Sequence, residues 1–290
     1  MRIVVTGSIA NGAGNISYGL ARLGAAPILV STARPDFAEQ QRRLARSGVN
    51  TQRTGTANPV PILMKFDDVR WVVVAPDDPE VMLARTHHIL AGGYPLVACP
   101  SPRLSDLERD EARALVAGAD LLFTDENERE LLSVRTGWTT ATVLSKVRHW
   151  ITTFGPDGAL VEFGGGAPAQ RVAAVPSDTI VGGTGAGDGF RAGYLAGLRY
   201  GADPVNAAYL GATVAALVLE SPAPQGYQLD LATMLARIRS TYGPTTARHI
   251  GRLLTSTRGK SATSATMRTA RVDHDVRLLP RNRARTQPGP

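Results

Sequence analysis

The 290-residue sequence contains one cysteine, Cys99, and no long apolar run. A single cysteine excludes an intrachain disulfide. No stretch of eighteen apolar residues occurs, so the sequence predicts no transmembrane helix. The N-terminus also lacks the apolar segment and small-residue cleavage site of a signal peptide. We therefore expect a soluble cytoplasmic protein that has no membrane partner.

The formal net charge of +7 is distributed unevenly along the chain. Residues 244–290 contain ten Arg or Lys residues against two Asp, which leaves residues 1–243 close to neutral. This C-terminal segment is rich in Thr, Ser and Pro, so it cannot bury enough surface to offset its ordering entropy. We therefore predict a folded domain over residues 1–243 and a basic, disordered tail over residues 244–290. Weak binding of this tail to anionic surfaces stays an alternative to a solvated tail, and no specific nucleic-acid partner is predicted.

Strand-like apolar runs alternate with helix-like segments through residues 1–243. Residues 71–75 form a continuous apolar run of the kind found in buried parallel strands. Residues 186–200 and 204–219 have the length and composition of two long helices. This alternation predicts an α/β fold with a mostly parallel sheet and crossover helices.

Three local patterns extend this prediction. Residues 159–163 and 170–174 are predicted to pair as a hairpin. Ser105 and Glu108 have capping-box spacing, which predicts that a helix starts at Ser105. Asp78 precedes Pro79 and is predicted to be a helix N-cap rather than a metal ligand. Residues 47–70 have poor periodicity and predict few elements.

A glycine-rich turn runs directly into an apolar helix at residues 183–188, GTGAGD. Backbone N–H groups at a helix start have no intrahelical partner, and the helix dipole favours an anion there. Because Gly185, Ala186 and Gly187 have little or no side chain, a phosphate group could approach their N–H groups. Asp188 could take a proton from a substrate hydroxyl while these amides stabilise the transferring phosphoryl group. The pattern favours an anion hole beside a base; the alternative is a tight turn followed by an acidic residue.

The same segment, continued as GTGAGDGF, resembles the C-terminal signature of the ribokinase-like (PfkB-type) carbohydrate and nucleoside kinases. Residues 13–24 resemble the N-terminal glycine motif of that family. Residues 125–128 (DENE) resemble its Asn-x-x-Glu motif, and residues 153–158 (TFGPDG) its Thr-x-Gly-x-x-Gly turn. The resemblance covers about residues 1–243, and its wording is most similar to actinobacterial adenosine kinases.

The resemblance implies a three-layer α/β/α sandwich that transfers phosphate from ATP, with Mg²⁺, to the primary hydroxyl of a ribosyl substrate. Adenosine is the first choice, as in purine salvage. The implied roles are Asp188 as the catalytic base, Gly185, Ala186 and Gly187 as the anion hole, Thr153, Gly155, Gly158 and Thr184 at the ATP phosphates, Gly14 and Asn15 at the substrate, and Glu128 with Asp125 at Mg²⁺, partly through water. The implied partner is a small molecule. A homodimer stays open, because lid strands often set dimerisation in this family.

Several positions depart from the family pattern. The acidic residue and the first lid segment expected after the first strand are missing, because residues 8–11 run straight into Gly12. Gly182 stands where the family usually has Asp, Asp125 stands in place of Asn, and Cys99 stands in place of the Asp of an Asp-Pro pair. We therefore predict a reduced or absent lid. A catalytically decayed nucleotide-binding protein stays an alternative to an active kinase.

Residues 12–17 also partly match the dinucleotide-binding pattern G-x-G-x-x-G. Ser17 occupies the third glycine position, and no acidic residue follows the predicted second strand, which ends at Ser31 and Thr32. An NAD(P)-dependent enzyme is therefore the weaker alternative.

Overall fold

The computed structural model describes residues 1–32, 37–54, 56–177 and 179–256. Nine strands occur in this part of the chain: β1 (Arg2–Thr6), β2 (Ile28–Thr32), β3 (Asn50–Thr54), β4 (Val69–Val74), β5 (Leu96–Ala98), β6 (Leu121–Asp125), β7 (His149–Thr153), β8 (Ala159–Phe163) and β9 (Gln170–Val172). They form one sheet in the order β3-β2-β1-β4-β5-β6-β7-β8-β9. Strands β1 to β7 are parallel to one another, whereas the β7–β8 and β8–β9 pairs are antiparallel. The mostly parallel sheet and the β8–β9 hairpin are thus confirmed.

Helices cover both faces of the sheet. They are α1 (Gly12–Arg22), α2 (Phe37–Arg46), α3 (Val60–Leu63), α4 (Pro79–Ala91), α5 (Arg109–Val116), α6 (Glu126–Thr136), α7 (Thr140–Leu144), α8 (Ala186–Arg199), α9 (Pro204–Leu219), α10 (Leu231–Tyr242) and α11 (residues 244–256). Short 3₁₀ turns lie at Pro102–Asp106 and Gly155–Asp157. The chain therefore adopts the predicted three-layer α/β/α architecture.

The sheet divides the core into two clusters because successive strand side chains point to opposite faces. Val5 and Val73 pack with helices α1, α2 and α8 to α11. Val4 and Val72 pack with helices α3 to α7 on the other face. Both faces are covered, which is why the central strands consist of nearly continuous apolar residues. Asp188, on α8, lies on the face of the sheet that α1 and α2 also cover. The helices that follow β4, β5 and β6 cover the opposite face.

Helices α8 and α9 approach each other closely through two glycines. A Cβ at Gly193 would lie 2.7 Å from the Cα of Gly211, and a Cβ at Gly211 would lie 2.8 Å from the carbonyl oxygen of Phe190. Such distances leave no room for a larger side chain. The contact fixes α8, which carries Asp188 in its first turn, against its neighbour.

The arrangement of the strands agrees with the prediction that the lid is reduced or absent. Every strand of the described residues belongs to the one nine-stranded sheet, so this part of the chain forms no separate small sheet. Within the same residues no helix has the length and apolarity needed to cross a membrane.

The structure corrects two local predictions and confirms a third. Residues 47–70 contain β3 and α3, and β3 was missed because its edge position leaves its polar residues partly exposed. The predicted helix start at Ser105 is wrong: residues Pro102–Asp106 form a 3₁₀ turn, and α5 starts after Glu108, whose N–H donates to the Glu111 carboxylate. Asp78 is confirmed as an N-cap, because its side chain accepts from the Glu80 N–H.

The domain boundary predicted at residue 243 lies too early. Residues 244–256 are helical, and Ala247, Ile250 and Leu254 are buried in the core cluster that also contains α10. Their spacing of three and four residues forms one apolar helical face, which the basic composition of the whole tail concealed. The rest of the predicted tail, residues 257–290, lies outside the described residues.

Candidate active site

The glycine-rich turn places the start of α8 at the carboxyl edge of the sheet. Gly185 is the N-cap and has a left-handed backbone with φ 89°. A Cβ there would lie 2.6 Å from the Cβ of Pro224, so both conformation and space require glycine. Ala186 begins the helix, and Gly187 and Thr184 are exposed. The first N–H groups of α8 therefore lie at an open helix start, as an anion hole requires.

Asp188 is held at both carboxylate oxygens. Its Oδ2 accepts a hydrogen bond of 2.9 Å from Asn15 Nδ2, and its Oδ1 accepts one of 3.1 Å from Arg191 Nη1. The side chain is only 12% exposed. A carboxylate with two fixed donors has one orientation, which a general base needs in order to meet a substrate proton.

Asn15 lies in the first turns of α1, directly beside Asp188. Its Oδ1 accepts a hydrogen bond of 2.8 Å from Gln225 Nε2, while its amide donates to Asp188. Gly14 lets the start of α1 pack against the preceding loop, because a Cβ there would lie 2.1 Å from the carbonyl oxygen of Ile9. The structure thus brings Asn15, one of the two predicted substrate residues, into contact with the predicted base, and both polar atoms of its side chain are bonded inside the protein.

Asp125 and Glu128 form a reciprocal cap at the start of α6. Asp125 Oδ1 accepts from the Glu128 N–H at 2.7 Å, and Glu128 Oε2 accepts from the Asp125 N–H at 2.9 Å. This is the capping-box arrangement. Glu128 is buried, and burial raises its pKa to about 7, although the charge of Arg191 works in the opposite direction.

These two carboxylates could hold Mg²⁺ only through bridging water molecules. Glu128 Oε2 already accepts from a backbone N–H and lies 3.5 Å from Arg191 Nη2. Among the described residues no three His, Cys, Asp or Glu side chains cluster as a metal site. Mg²⁺ commonly keeps several waters and binds one or two carboxylates together with substrate phosphates. The arrangement is therefore compatible with a metal brought by a nucleotide, but not with one held by protein ligands alone.

The second predicted phosphate segment follows β7. Thr153 is the register partner of Asp125 across the parallel β6–β7 pair, so both lie at the same edge of the sheet. The turn after it is closed by a hydrogen bond of 2.8 Å from the Phe154 N–H to the Gly158 carbonyl. Gly155 and Gly158 have φ 55° and 86°, and a Cβ at Gly158 would lie 2.0 Å from the Val172 carbonyl oxygen. Glycine is therefore required by the turn, whatever ligand it contacts.

Sequence reasoning missed Arg191 and Gln225. Arg191 lies one turn after Asp188 on α8 and contacts both Asp188 and Glu128. Burial alone would lower its pKa, but the acidic neighbours Asp188 and Glu128 keep it raised. A charged side chain three residues after an acidic one, within an apolar helix, was the available signal for Arg191. Gln225 lies in the loop between α9 and α10 and gave no signal in the sequence.

Cys99 follows β5 and is completely buried. Burial raises the pKa of its thiol to about 12, although the charge of Arg191 acts in the opposite direction. The thiol therefore has no nucleophilic character at neutral pH.

The fold is similar to that of several kinases of known structure. A Burkholderia thailandensis nucleoside kinase, solved in complex with inosine, superimposes with a TM-score of 0.70 at 22% identity, over 84% of this chain and 99% of that chain. A nucleoside kinase from Methanocaldococcus jannaschii gives 0.69 at 18% identity, over 82% and 98% of the two chains. Arabidopsis thaliana ribokinase, in complex with ribose and ATP, gives 0.63 at 14% identity, over 82% and 98%. The chain therefore has the ribokinase-like fold.

The sequence itself identifies the family. Residues 56–229, more than half of the chain, match the pfkB family of carbohydrate kinases. The chain therefore belongs to this family of kinases. This membership favours phosphoryl transfer over the NAD(P) alternative.

Proposed function

We propose that this kinase transfers the γ-phosphoryl group of ATP to the primary hydroxyl of a ribosyl compound, with adenosine as the first candidate. The observation that carries the proposal is the fixed carboxylate of Asp188 in the first turn of α8, directly after an exposed glycine-rich helix start. Phosphoryl transfer depends mainly on positioning and on stabilising charge at the transferring group. These two requirements are what this helix start supplies.

In the proposed reaction, Asp188 accepts the proton of the substrate hydroxyl while the oxygen of that hydroxyl attacks the γ-phosphorus of ATP. The bond from phosphorus to the leaving oxygen breaks, and ADP departs with the electron pair. Positive ends of the first N–H dipoles of α8 stabilise the charge on the phosphoryl oxygens. The other assigned residues are Gly185, Ala186 and Gly187 as the anion hole, Thr153, Gly155, Gly158 and Thr184 along the ATP phosphates, and Gly14 and Asn15 beside the substrate.

Mg²⁺ is proposed to accompany ATP and to neutralise charge on its phosphates. Asp125 and Glu128 would reach such an ion through water, because Glu128 Oε2 is already engaged by the Asp125 N–H. What these residues do on their own is to fix the start of α6 beside Thr153.

The nucleoside is proposed from two sources. The sequence motifs are most similar to those of adenosine kinases. The structural neighbours include nucleoside kinases, one of them in complex with inosine, and a ribokinase in complex with ribose and ATP. A ribosyl group with a free primary hydroxyl is common to adenosine, inosine and ribose. The proposal therefore commits to that hydroxyl and takes adenosine as the first compound to test.

The test is an ADP-release assay with adenosine, inosine and ribose, run beside calorimetry with MgATP. We expect turnover with a ribosyl acceptor and, for Asp188→Asn, a loss of kcat of about 10²–10⁴-fold with nearly unchanged nucleotide binding. Asp203→Asn is the matched control, because Asp203 caps α9 and Asn caps a helix equally well. Wild-type kcat in the Asp188→Asn protein would show that the mechanism is wrong.

A second candidate is a nucleotide-binding protein without turnover. The absence of a second sheet in the described residues favours it, because closure normally excludes water from this chemistry. Gly182 at the usual Asp position points the same way. MgATP binding with no ADP release from any acceptor would support this candidate over the kinase.

A further inference from the structure

Arg191 joins two elements of the site. It lies on α8, one turn after Asp188, and its side chain is only 11% exposed. Nη1 donates to Asp188 Oδ1 at 3.1 Å, and Nη2 lies 3.5 Å from Glu128 Oε2 on α6. The two outer nitrogens of one planar group therefore face two different carboxylates.

Glu128 is itself fixed. Its carboxylate accepts from the Asp125 N–H, and Asp125 accepts from the Glu128 N–H in return. Arg191 thus connects Asp188 to a side chain that cannot turn freely. The connection runs from the end of β6, through the α6 cap, to the first turn of α8.

A gain in folding stability does not account for the burial of the Arg191 charge. Removing a charge from water costs several kcal/mol, and a buried ion pair is often no more stabilising than well-packed apolar residues. A planar guanidinium does, however, fix the direction of its partners better than any apolar group. The geometry therefore favours a role in orientation.

We propose that Arg191 is a positioning residue for Asp188, with Glu128 as its anchor. The proposal rests on the proposed function of Asp188 and extends it to a residue that does not contact the substrate. Asn15 holds one oxygen of Asp188, and Arg191 holds the other. Without Arg191 the carboxylate can rotate about its remaining bond, and small misplacements of a reacting group cost up to about 10²-fold in rate.

The kinetic test compares Arg191→Ala and Arg191→Lys with a control, Arg85→Ala. Arg85 is also buried and paired, at 2.6 Å from Asp77, but it lies on α4 across the sheet. We expect Arg191→Ala to lower kcat about 10–100-fold with KM and MgATP affinity within about threefold. Arg191→Lys should fold and stay impaired, because one ammonium cannot bridge two carboxylates as a guanidinium does.

Chemical rescue separates positioning from general loss of stability. Millimolar guanidinium chloride should restore part of kcat in Arg191→Ala, in a saturable way, and leave Arg85→Ala unchanged. A loss of kcat that guanidinium does not restore, and that Arg85→Ala shares at equal thermal stability, would overturn the proposal. So would wild-type kcat in the Arg191→Lys and Arg191→Ala proteins.

A structural readout does not depend on turnover. Crystal structures of wild type and Arg191→Ala should show a single Asp188 side-chain conformer in the former and a displaced or multiple conformer in the latter. An unchanged Asp188 conformer would overturn the proposal even if the chain proved inactive. Inactive wild type with the expected displacement would instead refute the proposed function and leave the positioning role supported.

Discussion

Glu128→Gln is expected to remove a pH-dependent loss of folding stability. Burial raises the pKa of Glu128 from 4.5 to about 7, against the opposing effect of Arg191. Between these values the unfolded chain has lost a proton that the folded protein keeps, so the free energy of unfolding falls as the pH rises. The stabilising contribution of protonated Glu128 is thus complete below pH 4.5 and lost by about pH 7. At about 1.36 kcal/mol per pH unit, the whole effect is about 3 kcal/mol.

Glutamine preserves the shape of the side chain and can still accept the Asp125 N–H bond, but it does not titrate. Urea unfolding of wild type and variant, at several pH values across this window, measures the effect. The stability of the variant relative to wild type should increase by up to about 3 kcal/mol from the acid to the neutral end. Parallel pH dependences for the two proteins would refute this account of Glu128.

Glu220→Gln provides the matched control. The hydrogen bond from Arg237, which is bidentate at 2.7 and 2.8 Å, lowers the pKa of Glu220. Its stabilising contribution is therefore lost only as the pH falls below the ordinary range of a glutamate. The difference between Glu220→Gln and wild type should stay constant where that of Glu128→Gln changes.

Three further predictions concern packing and reactivity. Gly193→Val should lower stability by about 1–3 kcal/mol in urea unfolding, because its Cβ would lie 2.7 Å from the Cα of Gly211; an unchanged midpoint would contradict the close α8–α9 contact. Ile250→Ala should cost about 2–5 kcal/mol, whereas Val134→Ala, at a side chain that is 74% exposed, should cost much less; equal midpoints would exclude α11 from the core. Cys99 should resist a thiol reagent in the native protein and react fully in denaturant, because burial raises its pKa to about 12; rapid native labelling would count against this burial.

The overall fold could be predicted because its signals are local. Alternating apolar strands and helices define a mostly parallel sheet, and the glycine-rich turn defines the start of α8. Strand β3 escaped prediction because an edge strand can be polar throughout, as NTQRT is. Helix α11 escaped because its apolar face, three residues over two turns, is diluted by basic and hydroxyl side chains.

The candidate site could be predicted only in part, for a different reason. Asp188 and the residues of the turn are contiguous in sequence, so a motif can describe them. The bonds on the Asn15 side of Asp188 join residues far apart in sequence: Asn15 lies 173 residues from Asp188, and Gln225 lies 210 residues from Asn15. No periodicity or spacing encodes such pairs. Arg191 is only three residues from Asp188 in sequence. Its second partner, Glu128, lies on another helix, so this contact becomes apparent only in three dimensions.

The long separation between Asn15 and its partners has a consequence for synthesis on the ribosome. The residue that holds one oxygen of Asp188 is made among the first, and Gln225, which orients that residue, is made 210 residues later. At about 5–20 residues per second, roughly 10–40 s pass before both exist in the same nascent chain. During that interval α1 can pack on the early strands, but Asn15 lacks the side chain that donates to its Oδ1. A chain that stalls before Gln225 can therefore contain all nine strands of the sheet and still lack the residue that orients Asn15 against Asp188.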